Sequence, residues 1–337
     1  MKKNDDNCFD LLRLLASLIV MFSHSFKWMG VEKPFWLLFT VEGSVGVMML
    51  LSISGFLSMA SYDRCVNHNE LFVDFYFKRI LRIYPALLCS YAVLVFLDYF
   101  VCNINVLSLD YFVYMIKGIV FPQNRVFQNG ISNGVLWTLP CQLIYYLLIP
   151  IIRKLLYKAN VALWTLCILL FWMLNCFDTY LTLYIPGTSF IFFFYEFLIG
   201  CFLYCKKQVI LDKLVNKSFC IFLIFAFSIL FYIHDYTNLI PRNGVMHDPL
   251  FGLLVPFITI IIAFSFGNIK IRHDISYGIY LLHMLIINTL LVYDVKSFRA
   301  FPIIWLGTIL IAILQCIFVE EKVIKLKKYT PSSLLRR

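Results

Sequence analysis

Apolar residues run along this chain in blocks of about twenty, the length that crosses the ~30 Å hydrocarbon core of a bilayer as a helix. Charged or turn-rich breaks separate them. The blocks fall near 9–28, 38–61, 79–101, 136–153, 160–178, 181–204, 217–234, 249–267, 275–294 and 302–319. They predict an all-α membrane protein, a polytopic bundle of about ten transmembrane helices forming one domain over residues 1–337. Leu107–Phe121 is also apolar but short, and it carries Asp110 and Lys117. Its length fits an interfacial or re-entrant piece rather than a span.

Composition agrees, with 61% hydrophobic and 14% charged residues against about 45–50% and 25% in soluble proteins. A soluble globular protein is excluded. Most of the 29 Lys and Arg fall in the N-terminal tail, the alternate loops on that side and the C-terminal tail, so positive-inside places both termini in the cytoplasm. An eleventh crossing at Leu107–Phe121 would turn the later basic loops outward, against that rule. The net charge of +10 therefore reads as a basic cytoplasmic face, with no nucleic-acid partner implied. The first span lacks a small-residue cleavage site after Phe26 and is expected to stay in the protein. Eleven cysteines show no CxxC and no metal spacing, so they read as small apolar residues and no metal is expected.

Candidate chemistry starts with Arg13 and His24 in the first span. Ionisable groups are costly inside a bilayer, by about 2.5–3.5 kcal/mol for a central Arg, and they mark sites by default. Eleven helical steps turn three times plus about 20°, so both side chains leave one face, about 16 Å apart along the axis. The plainer reading is an Arg that snorkels and a His that is a satisfied polar spot between helices. Gly43, Gly46 and Gly55 in the second span would allow close approach of a helix or ligand. Arg79 and Arg82, in Lys78-Arg79-Ile80-Leu81-Arg82-Ile83-Tyr84-Pro85, are neighbours on a helix face where the third span begins. They read either as topology-setting charge or as a guanidinium pair for phosphate oxygens. Further polar candidates are Trp137 and Gln142 at the head of the fourth span, Glu196, Tyr277 and His283. His24 ranks above His283 because it shares a face with a buried Arg.

These residues, taken in order, resemble the acyltransferase type 3 family of integral membrane O-acyltransferases over nearly the whole chain. Arg13-x10-His24, Ser54-Gly55-Phe56, Arg79-x2-Arg82-Ile83-Tyr84-Pro85, Trp137-Thr138-Leu139, Ser276-Tyr277-Gly278-Ile279-Tyr280-Leu281-Leu282-His283 and Val319-Glu320 carry the likeness. The resemblance implies transfer of an acyl group, commonly acetyl from cytoplasmic acetyl-CoA, to sugars of envelope or secreted polysaccharides such as lipopolysaccharide or exopolysaccharide, in a bacterial inner (plasma) membrane. By the same resemblance His24 is catalytic, Arg13 acts beside it, and Arg79 and Arg82 serve the acyl-CoA. The chain departs from the family pattern at Gln142 and Met48, where many members carry acidic residues, so neither position can supply a carboxylate here. His24 is then a general base or an acyl relay. No hydrolase-like domain is joined to the spans, so the glycan acceptor is expected to be met in the membrane or at its outer face. A transporter or flippase for a lipid-linked sugar, with Arg13 and His24 lining its path, is the alternative.

Overall fold

A computed structural model describes residues 6–33, 42–122, 126–181, 189–208, 214–237 and 249–331. Every regular element among them is helical. The longer ones, in chain order, are α1 (Phe9–Trp28), α2 (Gly43–Asn67), α3 (Phe72–Phe100), α4 (Leu109–Val120), α5 (Thr138–Leu156), α6 (Val161–Leu181), α7 (Phe194–Cys205), α8 (Lys217–Thr237), α9 (Pro249–Ser265), α10 (Ser276–Val292) and α11 (Phe301–Gln315). A 3₁₀ turn, Gly134–Trp137, leads into α5, and α11 runs on through a π-helical turn, Cys316–Glu320, and Glu321–Ile324.

Among the described residues, five helical stretches are long and apolar enough to cross a membrane: Phe9–Trp28, Gly43–Asn67, Phe72–Phe100, Gly134–Leu156 and Phe298–Lys328. Shorter apolar helices occupy Val161–Phe177, Phe190–Cys205, Lys217–Leu230, Pro249–Ser265 and Ser276–Val292. The protein is an all-α integral membrane protein. The segment at Leu107–Phe121 forms the 12-residue α4, about 18 Å long at 1.5 Å per residue and too short to span. The first part of the predicted span at 38–61 lies outside the described residues.

The chain divides into two compact units. The first takes α1 through Val20, α2 through Arg64, and α5 from Cys141 through α9. Its start is tied down where Cys8 N donates to the Ala263 carbonyl at 2.8 Å and the Phe9 ring lies 5.2 Å from Phe56 and 5.5 Å from Phe264. Small residues set how closely its helices cross. A Cβ on Gly46 would stand 2.5 Å from the Ala16 carbonyl, and one on Gly55 would stand 2.1 Å from that of Phe197. The expected close approach at these two glycines is therefore helix on helix.

At one end of the same unit, Asp63 is buried and collects hydrogen bonds from α5, the turn that follows it, and α7. Arg153 donates to Oδ1 from Nε at 3.0 Å and from a terminal nitrogen at 2.7 Å. The Tyr204 and Tyr157 hydroxyls reach Oδ2 at 2.9 and 3.3 Å. Asp63→Ala strips the anion from a guanidinium whose side chain is only 21% exposed. The expected cost is about 3–5 kcal/mol, read as a lowered unfolding midpoint in detergent, and an unchanged midpoint would show that the clamp holds nothing.

The second unit takes α1 from Met21, then α3, α4, the 3₁₀ turn, α10 and α11. In α3, buried Asp98 accepts from the Tyr111 hydroxyl and from Ile131 N, both at 2.8 Å. It thereby anchors α4 and the segment that leads to the 3₁₀ turn. Helices α10 and α11 meet at Gly278, where a Cβ would lie 2.9 Å from that of Ala312. The end of α1 rests on α11: Trp305 Nε1 donates to Ser25 Oγ at 3.2 Å, and Phe22 and Phe26 face Trp305 and Phe301 at 4.7 and 4.8 Å.

Candidate functional site

Within the second unit the two ranked histidines meet. His24 Nδ1 lies 2.9 Å from His283 Nε2, with ring planes 27° apart. His283 is fully buried, whereas His24 is half-buried. On its far side His283 Nδ1 lies 2.9 Å from the Ile279 carbonyl, one turn earlier in α10.

That carbonyl fixes the protons, because a carbonyl oxygen only accepts. His283 must carry its proton on Nδ1 and turn the Nε2 lone pair toward His24. His24 in turn donates from Nδ1, which leaves the lone pair of its own Nε2 for another group. If His24 Nε2 takes up a proton, both bonds remain as they are. The chain from carbonyl to His283 to His24 therefore holds one imidazole in one tautomer, the part that a carboxylate plays in a Ser-His-Asp triad.

The arginines are engaged in different ways. Arg82 donates to Asp274 Oδ2 at 2.6 Å, and Asp274 also caps the start of α10 by accepting from Ser276 N and Oγ. Arg79 lies over the Phe75 ring at 5.3 Å. Lys78 beside them is bonded to Glu70 at 2.6 Å. Partial burial opposes ionisation of Glu70, but the Lys78 ammonium outweighs it and holds the carboxyl below its ordinary range. Along α10 the seven residues from Ser276 to His283 span about 10 Å, so Arg82 and the histidine pair sit roughly two turns apart on one scaffold.

The remaining candidates fall elsewhere. Trp137 closes the 3₁₀ turn and Tyr277 opens α10, both half-buried in the second unit. Arg13, Gln142 and Glu196 belong to the first unit. Arg13 is ion-paired with Asp10 one turn earlier in α1. Gln142 is half-buried, while Glu196 is wholly buried in α7. Met48 is also fully buried. Asp274 went unremarked in the sequence, although Asp-Ile-Ser ahead of an apolar run is a helix-start signal. Asp10 was likewise findable, three residues before Arg13. No group of acidic, His and Cys side chains able to hold a metal occurs among the described residues.

A family model described as an acyltransferase domain, Acyl_transf_3, matches residues 6–321. Nodulation protein 10 of Rhizobium leguminosarum bv. viciae is 27% identical, over 95% of this chain and 94% of its own. An O-acetyl transferase of Shigella phage Sf6 is 28% identical, over 84% of this chain and 86% of its own. No solved structure matches. A family match from the first described residues through the π-helical turn after α11 takes in residues of both units and the histidine pair, and the chain belongs to the acyltransferase type 3 family of integral membrane acyltransferases.

Proposed function

We propose that the protein is a membrane O-acetyltransferase that moves an acetyl group from cytoplasmic acetyl-CoA to a hydroxyl of a cell-surface polysaccharide or its lipid-linked precursor. The observation that carries this is the hydrogen-bonded chain from the Ile279 carbonyl through His283 to His24. It leaves a basic Nε2 on the half-buried ring. The name of the phage relative, an O-acetyl transferase, supports acetyl as the group moved.

In the reaction His24 Nε2 takes the proton of the acceptor hydroxyl as its oxygen attacks the thioester carbonyl carbon. The carbon–sulfur bond then breaks, and the proton passes from the imidazolium to the leaving thiolate. General-base help of this kind is worth about 10²–10⁴-fold. The Nδ1–H bond to His283 is kept throughout, so one proton moves and no neighbour must rearrange. Arg13 leaves α1 on the face that carries His24, about 16 Å nearer the helix start.

Arg79 and Arg82 are assigned to the donor phosphates, with Arg82 shared between phosphate and Asp274. Arg79→Ala is the cleaner test, since Arg82→Ala also removes the partner of Asp274. Each change is expected to weaken CoA binding to purified protein by about 1.5–3 kcal/mol if the bonds are charge-assisted. Unchanged affinity in both variants would remove the arginines from the donor site. The function as a whole is tested by the acetyl content of the host's surface polysaccharide with and without this protein; equal content would sink it.

A further inference from the structure

The segment Ile131–Thr138 runs across α10 and is bonded to it at three levels. The Ser132 carbonyl and hydroxyl accept from Asn288 Nδ2 at 2.7 and 2.9 Å. Asn133 Nδ2 donates to the Leu281 carbonyl at 2.9 Å. The Thr138 and Tyr280 hydroxyls lie 2.9 Å apart. Behind the segment, Ile131 N is held by Asp98 at 2.8 Å, so the segment is itself pinned to α3.

At 100° per residue, with His283 as origin, Tyr280, Met284 and Asn288 leave α10 about 60°, 100° and 140° round the axis. Gly278 and Ile286, which meet Ala312 and Gly307 of α11, leave it about 220° and 300° round. His283 thus projects between two gripped faces, toward α1. The two grips differ in kind. Apolar side chains in a bilayer gain little by choosing a neighbour over lipid, so the α11 contact fixes distance better than rotation, whereas hydrogen bonds to particular atoms fix rotation. A slip of one residue would swing His283 by about 100° and break its bond to His24.

We propose that Asn133, Tyr280 and Asn288, through the bonds between α10 and Ile131–Thr138, are positioning residues that aim the His283 Nε2 lone pair at His24 Nδ1. This rests on the reading of His24 as the base. When the grip is loosened, His24 loses its fixed acceptor. Its ring then samples the tautomer with the proton on Nε2, which cannot take a proton from substrate. Turnover falls, while donor affinity changes little, because Arg82 is held by Asp274 at the start of α10, about two turns from His283.

The test uses the full chain in lipid bilayers, with acetyl-CoA as donor and host-cell membranes as acceptor. The variants are Tyr280→Phe, Tyr280→Phe with Asn288→Leu, and His24→Ala. The double variant is expected to lose about tenfold in turnover, with KM for acetyl-CoA held within about twofold. In ¹⁵N spectra of histidine-labelled protein, the His24 resonances should pass from the Nδ1–H form to a mixture of tautomers. Normal turnover in the double variant, or reduced turnover with His24 still wholly Nδ1–H, overturns the positioning role. An active His24→Ala overturns the base reading instead, so the two failures are told apart. Should the double variant fail to insert, Tyr280→Phe alone carries the same test. In that variant the Thr138 hydroxyl keeps its bond to the Val135 carbonyl at 3.1 Å.

Discussion

His24→Ala is expected to lower acetyl transfer by about 10²–10⁴-fold while the protein still folds and inserts. The side chain is half-buried at the end of α1, where its loss leaves room that lipid or solvent can fill. His283→Ala should cost less and leave measurable transfer, since the base survives and only its orienting partner at 2.9 Å is gone. Turnover per inserted molecule, measured for both variants in parallel, decides the order. A silent His283→Ala beside an active His24→Ala would mean that the base is the buried ring.

A marked loss of stability is also expected at the crossing of α2 and α7. A Cβ on Gly55 would come 2.1 Å from the Phe197 carbonyl, and one on Gly200 would come 2.1 Å from that of Ser52. Both obstacles are backbone, which cannot swing aside as a side chain tip can. Gly55→Ala or Gly200→Ala must push the helices apart, at about 1–3 kcal/mol each. The double variant should fall short of the sum, because either change alone already opens the same crossing. Gly307→Ala is the control: its nearest neighbour, Ile286, would lie at an ordinary 3.5 Å. Unfolding midpoints in detergent check this, and a midpoint for Gly55→Ala no lower than that for Gly307→Ala would refute it.

Much of this was legible in the sequence wherever one helix held all the parts. α1 is found at Phe9–Trp28, as the apolar block predicts, and the common face of Arg13 and His24 follows from helical period alone. Helix ends were less legible. α2 continues to Asn67 and α3 begins at Phe72, past the predicted limits of 61 and 79. Hydropathy stops at Asp63, Lys78 and Arg79, whereas a helix stops where its backbone bonds do. The pairing of His24 with His283 was not legible, since 259 residues separate them and no period relates side chains on different helices. The same holds for Arg82 and Asp274, which are 192 apart.

The π-helical turn at Cys316–Glu320 carries a consequence for how the chain tolerates changes of length. Five residues apart on an α-helix, side chains diverge by about 140°, yet Gln315 Nε2 reaches Glu320 Oε1 at 2.9 Å. The widened turn is what brings them round, and it amounts to one surplus residue in an otherwise regular helix. Deleting any one residue of the turn would let the ordinary ladder close. Everything beyond would keep close to its present facing, Glu321 beside His273 included, because the widened turn already absorbs the surplus residue. An alignment gap of one position here is therefore nearly neutral, whereas the same gap in the regular part of α11 would turn the whole C-terminal tail by about 100°.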